Sequence, residues 1–103
     1  MTVQNLRSER SGNAVANQFY IEHDGKVYFQ SYNSLIAVID MSQSKPLTLG
    51  RHWDYSRTTM KYLNQFLRET VYGMFRFNGI EINANGIRKA IAGGIINYDE
   101  ALV

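Results

Sequence analysis

The chain has 103 residues, 45% of them hydrophobic and 19% charged, which suits one globular domain with a single modest core and excludes the low-hydrophobicity, high-charge signature of disorder. Eleven Lys and Arg against nine Asp and Glu leave a net charge of +2, too small to demand a polyanionic partner. The absence of cysteine excludes disulfides, thiol catalysis and cysteine-ligated metal, and no apolar run approaches the roughly 18 residues that cross a bilayer.

The first residues mix acidic with basic side chains and lack the apolar block of a secretory signal, so a cytoplasmic location with no membrane partner is expected. Residues 1–16 are polar, with only Leu6 and Val15 available as anchors, and read as a flexible arm ahead of a single α+β domain at 17–103. Gln18 to Ser31 holds two β-favouring runs around Asp24-Gly25, a pair that tolerates positive φ and marks a tight hairpin. Period-two alternation suggests that Phe19 and Ile21 look inward with Val27 and Phe29, leaving Tyr20 and Tyr28 as a cross-strand pair on the exposed face. After a turn at Tyr32-Asn33-Ser34, the continuous apolar run Leu35–Ile39 suits a central strand covered on both faces. Asp40 to Pro46 is loop by composition, and Leu47-Thr48-Leu49 forms a last short strand.

An aromatic lead-in, Arg51-His52-Trp53-Asp54-Tyr55, then runs into the clearest helical pattern in the chain. Met60, Leu63, Phe66, Leu67 and Val71 recur at spacings of three and four, and Ser56, with Asp54 as competitor, stands where a helix cap belongs. Trp53 and Tyr55 read as the lock between helix start and sheet. The pattern extends through Met74 and Phe75 to a left-handed cap at Asn78-Gly79; the rival reading ends the helix at Gly73 and makes residues 74–82 a hairpin. Asn83 or Asn85 caps a short final helix, Ile87–Ile91, closed by Gly93-Gly94. The predicted architecture is α+β: a small antiparallel sheet of three to four strands packed against one long helix, with a short C-terminal helix.

Few residues carry candidate chemistry. His23 and His52 each stand near an aspartate, but the first sits at a hairpin tip and Asp54 has a capping role available. No spacing here assembles a metal site, a catalytic triad or a phosphate loop, so the expectation is a non-enzyme without cofactor. Two surfaces are candidates for partner binding. Tyr20 and Tyr28 belong to the residue type that protein interfaces enrich, and Arg57, Lys61 and Arg68 share the polar side of the main helix with Asn64 and Gln65, where they would track phosphates. An unpaired strand edge is a route to a homodimer.

Phe29-Gln-Ser-Tyr-Asn-Ser-Leu-Ile-Ala37 and Trp53-Asp-Tyr-Ser through Leu67 resemble a family of small, uncharacterised bacteriophage proteins, in which an aromatic-Gln-Ser-Tyr turn precedes a helix opened by Trp-Asp-Tyr-Ser; Gly86 to Tyr98 is similar to its terminal helix. The resemblance covers the middle half of the chain and carries no catalytic residues with it. It implies a phage or prophage setting and, by analogy with other small accessory proteins, the occlusion of a host macromolecule such as a defence nuclease complex. The expected function is therefore a non-enzymatic phage accessory protein that binds a host protein or protein–nucleic acid complex in the host cytoplasm. A nucleic-acid-binding module using the basic helix face is the alternative.

Overall fold

Asp24 and Gly25 both adopt positive φ, 52° and 74°, so the chain reverses within two residues and His23 pairs with Lys26. A turn of this hand matches the twist of the strands it joins. From this hairpin the sheet grows by nearest neighbours. The computed structural model describes residues 1–103: β1 (Thr2–Arg7), β2 (Ala14–His23), β3 (Lys26–Ser31), β4 (Ser34–Ile39), β5 (Leu47–Gly50), α1 (Arg57–Thr70), α2 (Tyr72–Phe77), α3 (Ala84–Ala92) and β6 (Asn97–Asp99). The strands lie side by side in chain order; β1 to β5 form an antiparallel meander, and β6 joins β5 in parallel.

The sheet is thus six-stranded and mixed, in place of the expected antiparallel sheet of three to four strands. Two strands make the difference. Residues 1–16, expected as an arm, carry β1, whose side chains are exposed except for Leu6 and so show no alternating pattern. Its strand state comes from pairing, with Thr2 opposite Glu22 and Asn5 opposite Phe19. The short β6 is exposed along its whole length and reaches its place only through the helical crossover that any parallel partner requires.

The hairpin register decides which side chains meet the helices. With His23 opposite Lys26, Tyr20 falls opposite Phe29 and Ile21 opposite Tyr28. Faces alternate along a strand, so Tyr20, Val27 and Phe29 look one way and Phe19, Ile21 and Tyr28 the other. The four residues expected to point inward together are divided between two faces, and the Tyr20–Tyr28 pair does not exist. The apolar run in β4 is likewise not covered twice: Ile36, Ala37 and Ile39 are buried, whereas Leu35 and Val38 stand half-buried on the face opposite the helices.

Helix α1 begins where Ser56, with extended backbone, accepts a hydrogen bond from the Thr59 amide at 3.1 Å. Its buried side chains Leu63, Phe66 and Leu67 follow the predicted spacing. The Phe66 ring lies 5.5 Å from Phe29 in a near-parallel stack and 6.1 Å from Tyr20, tying helix to sheet. The single long helix expected to run on through Phe75 is broken at Val71, which leaves helical geometry at φ −125° and so lets α2 turn Phe75 into the core. The hairpin alternative for 74–82 is also excluded, because the chain leaves α2 through a helix-terminating turn: Ile80 donates to Phe75 and Gly79, at φ +66°, donates to Arg76. Helix α3 starts at Asn83, which accepts from the Gly86 amide at 2.8 Å.

One core cluster joins Leu6 of β1, residues of β3, β4 and β5, Trp53, and residues of all three helices. Trp53 is buried as expected, with the Arg88 guanidinium 5.5 Å from its ring and 3.9 Å from Asp54, so α3 is held against the lead-in to α1. No helix is long and apolar enough to cross a membrane. Because Phe66 is fully enclosed between two layers, Phe66→Ala will lower unfolding free energy by about 3–5 kcal/mol in denaturant titrations. The exposed Arg57→Ala will stay within about 0.5 kcal/mol of the parent.

Candidate functional site

The β3–β4 turn and the start of α1 face each other across an open cleft of about 500 Å³. One wall is Tyr32 with Asn33 and Ser34; the other is His52 and Tyr55. Tyr32 holds φ +55°, a left-handed conformation that destabilises a bulky residue by roughly 1–2 kcal/mol. Neighbours hold it there. The Tyr32 amide donates to the Asn17 carbonyl at 2.7 Å, and Gln30 Nε2 donates to the Tyr32 carbonyl at 2.8 Å. Tyr32 is 53% exposed, and Tyr55 across the cleft is 78% exposed, edge-on to His52 at 5.8 Å. Tyr55, expected to lock the helix start against the sheet, does not do so; Trp53 alone performs that task.

The cleft is also lined by Ile36 and by the hydroxyls of Ser31 and Thr59. Ser31 Oγ and Thr59 Oγ1 share a buried hydrogen bond of 3.2 Å, and Ser56 Oγ reaches Thr59 Oγ1 at the same distance. These hydroxyls are engaged with one another and with the helix cap, and none is hydrogen-bonded to a histidine or carboxylate that would activate it as a nucleophile. Beside them Gln18, opposite Ser31 in the β2–β3 register, is 0% exposed and its amide nitrogen and oxygen have no partner. His52 lines the cleft, while His23 lies at the β2–β3 tip, 3.2 Å from Asp24. Nowhere do three His, Asp or Glu side chains gather as a metal centre would require.

The five residues singled out from sequence do not form one surface. Tyr20 packs on Phe66 and its hydroxyl donates to Glu22 at 3.1 Å; burial first, then this carboxylate, push its pKa above the usual tyrosine range. Tyr28 stands on the opposite side of the sheet. Arg57 and Lys61 are exposed on α1, Lys61 with its Nζ 5.2 Å from the Tyr62 ring. Arg68 is neutralised by Glu9 at 2.7 Å. Between them the expected polar stripe is interrupted, because Gln65 is buried and donates to the Arg7 carbonyl at 2.6 Å, fastening β1 to the helix. Tyr32 and Tyr55 line the cleft, and neither stands among those five. The available signal was a tyrosine flanked by small polar residues in both motif stretches, Ser31-Tyr32-Asn33-Ser34 and Asp54-Tyr55-Ser56.

Fold and cleft together define a two-layer α+β domain, a meander sheet with all helices on one face and an aromatic cleft at one end of the main helix. Residues 1–83 match a family of unknown function (DUF8033), and the chain belongs to that family. The matched span contains the whole cleft and ends before α3 and β6. Comparison with curated proteins and with solved structures gives no match.

Two outcomes follow from this geometry. Tyr32→Gly removes the left-handed penalty at the expense of some unfolded-state entropy, and will stabilise the fold by roughly 1 kcal/mol or less in thermal or denaturant unfolding. Tyr20 binds its proton more tightly folded than unfolded, so the stability it contributes is complete at neutral pH and is lost as pH climbs beyond about 10. Tyr20→Phe will flatten that alkaline decline in midpoint-against-pH measurements.

Proposed function

We propose that this chain is a non-enzymatic binding protein that grips a protein partner at the cleft bounded by Tyr32, His52 and Tyr55. The carrying observation is Tyr32, a bulky side chain held half-exposed by a strained backbone where a glycine would relieve the strain. Large exposed tyrosines contribute most to protein interfaces, since they bury much area with little loss of rotamer freedom.

For the biological setting we propose a phage or prophage origin, with the protein acting in the host cytoplasm by occluding a host macromolecule, a defence nuclease complex being one such target. The support is the resemblance of Phe29–Ala37 and Trp53–Leu67 to small phage proteins, and those stretches supply every residue that lines the cleft except His52. In a pull-down from host lysate, the partner retained by the parent chain will be lost with Tyr32→Ser combined with Tyr55→Ser, and kept by Arg57→Ala combined with Lys61→Ala. Equal retention by the folded tyrosine variant sinks the reading.

A second reading rests on Arg57 and Lys61, which lie one turn apart on exposed surface with no acidic residue in the first turn of α1. Such a pair suits a nucleic-acid backbone. Its signature is a gel shift that weakens steeply with salt and depends on both residues; no shift at low salt retires it.

A further inference from the structure

The helices cover one face of the sheet, and the other face is apolar as well. Val3, Ile21, Tyr28 and Val38 lie side by side across β1 to β4 as register partners, with Phe19 and Leu35 in the next row. None of the six belongs to the core cluster or packs against it. The rows continue with Thr48, Asn97, Asn5 and Gln30, so the central patch contains no charged side chain. Charges begin at its margins, with Lys26 at one end, Arg7 at the other, and Asp99 two residues beyond Asn97 on β6.

We propose that this face is the contact between two copies of the same chain, packed sheet to sheet. The absence of charge selects the occupant. An uncharged, apolar centre rimmed by polar groups repels no second copy of itself, and it offers nothing to an acidic or basic partner; homodimer interfaces have this composition. Size agrees. At strand spacings of about 4.8 Å and rises of about 3.3 Å per residue, the four long strands present a footprint of roughly 400 Å² on each copy, within the size range of a monomer's largest apolar patch, which is often a functional one. Two such faces remove roughly 800 Å² from water, and side-chain relief brings the sum towards the ~1,000 Å² at which specific interfaces begin. Aligned packing of twisted sheets about 10 Å apart lets the two sets of Ile21, Tyr28 and Val38 interdigitate. The assembly leaves the Tyr32–Tyr55 cleft accessible and does not depend on what that cleft binds.

The test is the mass of the full chain in solution, by sedimentation equilibrium over a wide concentration range. The parent chain is expected as a dimer, and Tyr28→Glu and Val38→Glu as monomers with unchanged circular dichroism. Thr48→Arg, at the margin of the patch and away from any core contact, will weaken association several-fold and serves if the central variants unfold. A parent chain that stays monomeric at the highest concentration overturns the proposal. So does a dimer whose association constant is unchanged by Thr48→Arg or by a folded Tyr28→Glu, and so does one abolished only by Gln4→Pro, which would mark the β1 edge as the contact.

Discussion

Phe66 holds the two layers of this protein together, and what it can touch was decided by a two-residue turn far from it in sequence. Because Asp24 and Gly25 reverse the chain without a spare residue, Phe29 and Tyr20 come up on the same face and offer an aromatic seat into which the α1 phenylalanine settles. A turn longer by one residue would exchange the faces of one strand relative to the other and present Tyr28 there instead. The remaining arrangement follows: with α1 anchored, its capped end lies against the β3–β4 turn, and α3 closes over Trp53.

The cleft is a by-product of that anchoring. The buried Ser31–Thr59 hydrogen bond marks where the turn and the helix start are drawn into contact, so the two tyrosines flanking it are left exposed, Tyr55 with an edge contact to His52. Strain at Tyr32 is tolerated because two hydrogen bonds, to Asn17 and from Gln30, over-determine the turn. The backbone at Tyr32 is thereby fixed at the expense of local conformational preference.

Much of this was legible in the residues. The Asp-Gly hairpin, the cap at Ser56, the apolar spacing of α1 and the buried Trp53 all rest on local chemistry, and local chemistry survives translation into structure. The tyrosine pair failed for a different reason: alternation within each strand was read correctly, but the faces of two strands can be matched only through the register, which Asp24-Gly25 already specified. β1 was invisible because exposed polar side chains carry no periodic signal, and β6 because it borrows its partner from the far end of the chain. Val71 interrupts a pattern that looks continuous, since spacing alone does not register a change in helix direction. Tyr55 and Gln65 were misjudged together: each sits beside the helix face that decides burial, and a sequence cannot show which neighbour arrives to cover it.

The parallel closure of β6 on β5 carries a consequence for how the chain acquires its shape. Every other strand finds its neighbour a few residues away, so the meander needs little loop-closure entropy and collapses early. Thr48 and Asn97, by contrast, can meet only when the intervening helical segment has docked. The last strand is therefore the latch of the assembly, the final contact to form and the first to open, and amide exchange along Asn97–Asp99 will report opening well below the free energy of global unfolding.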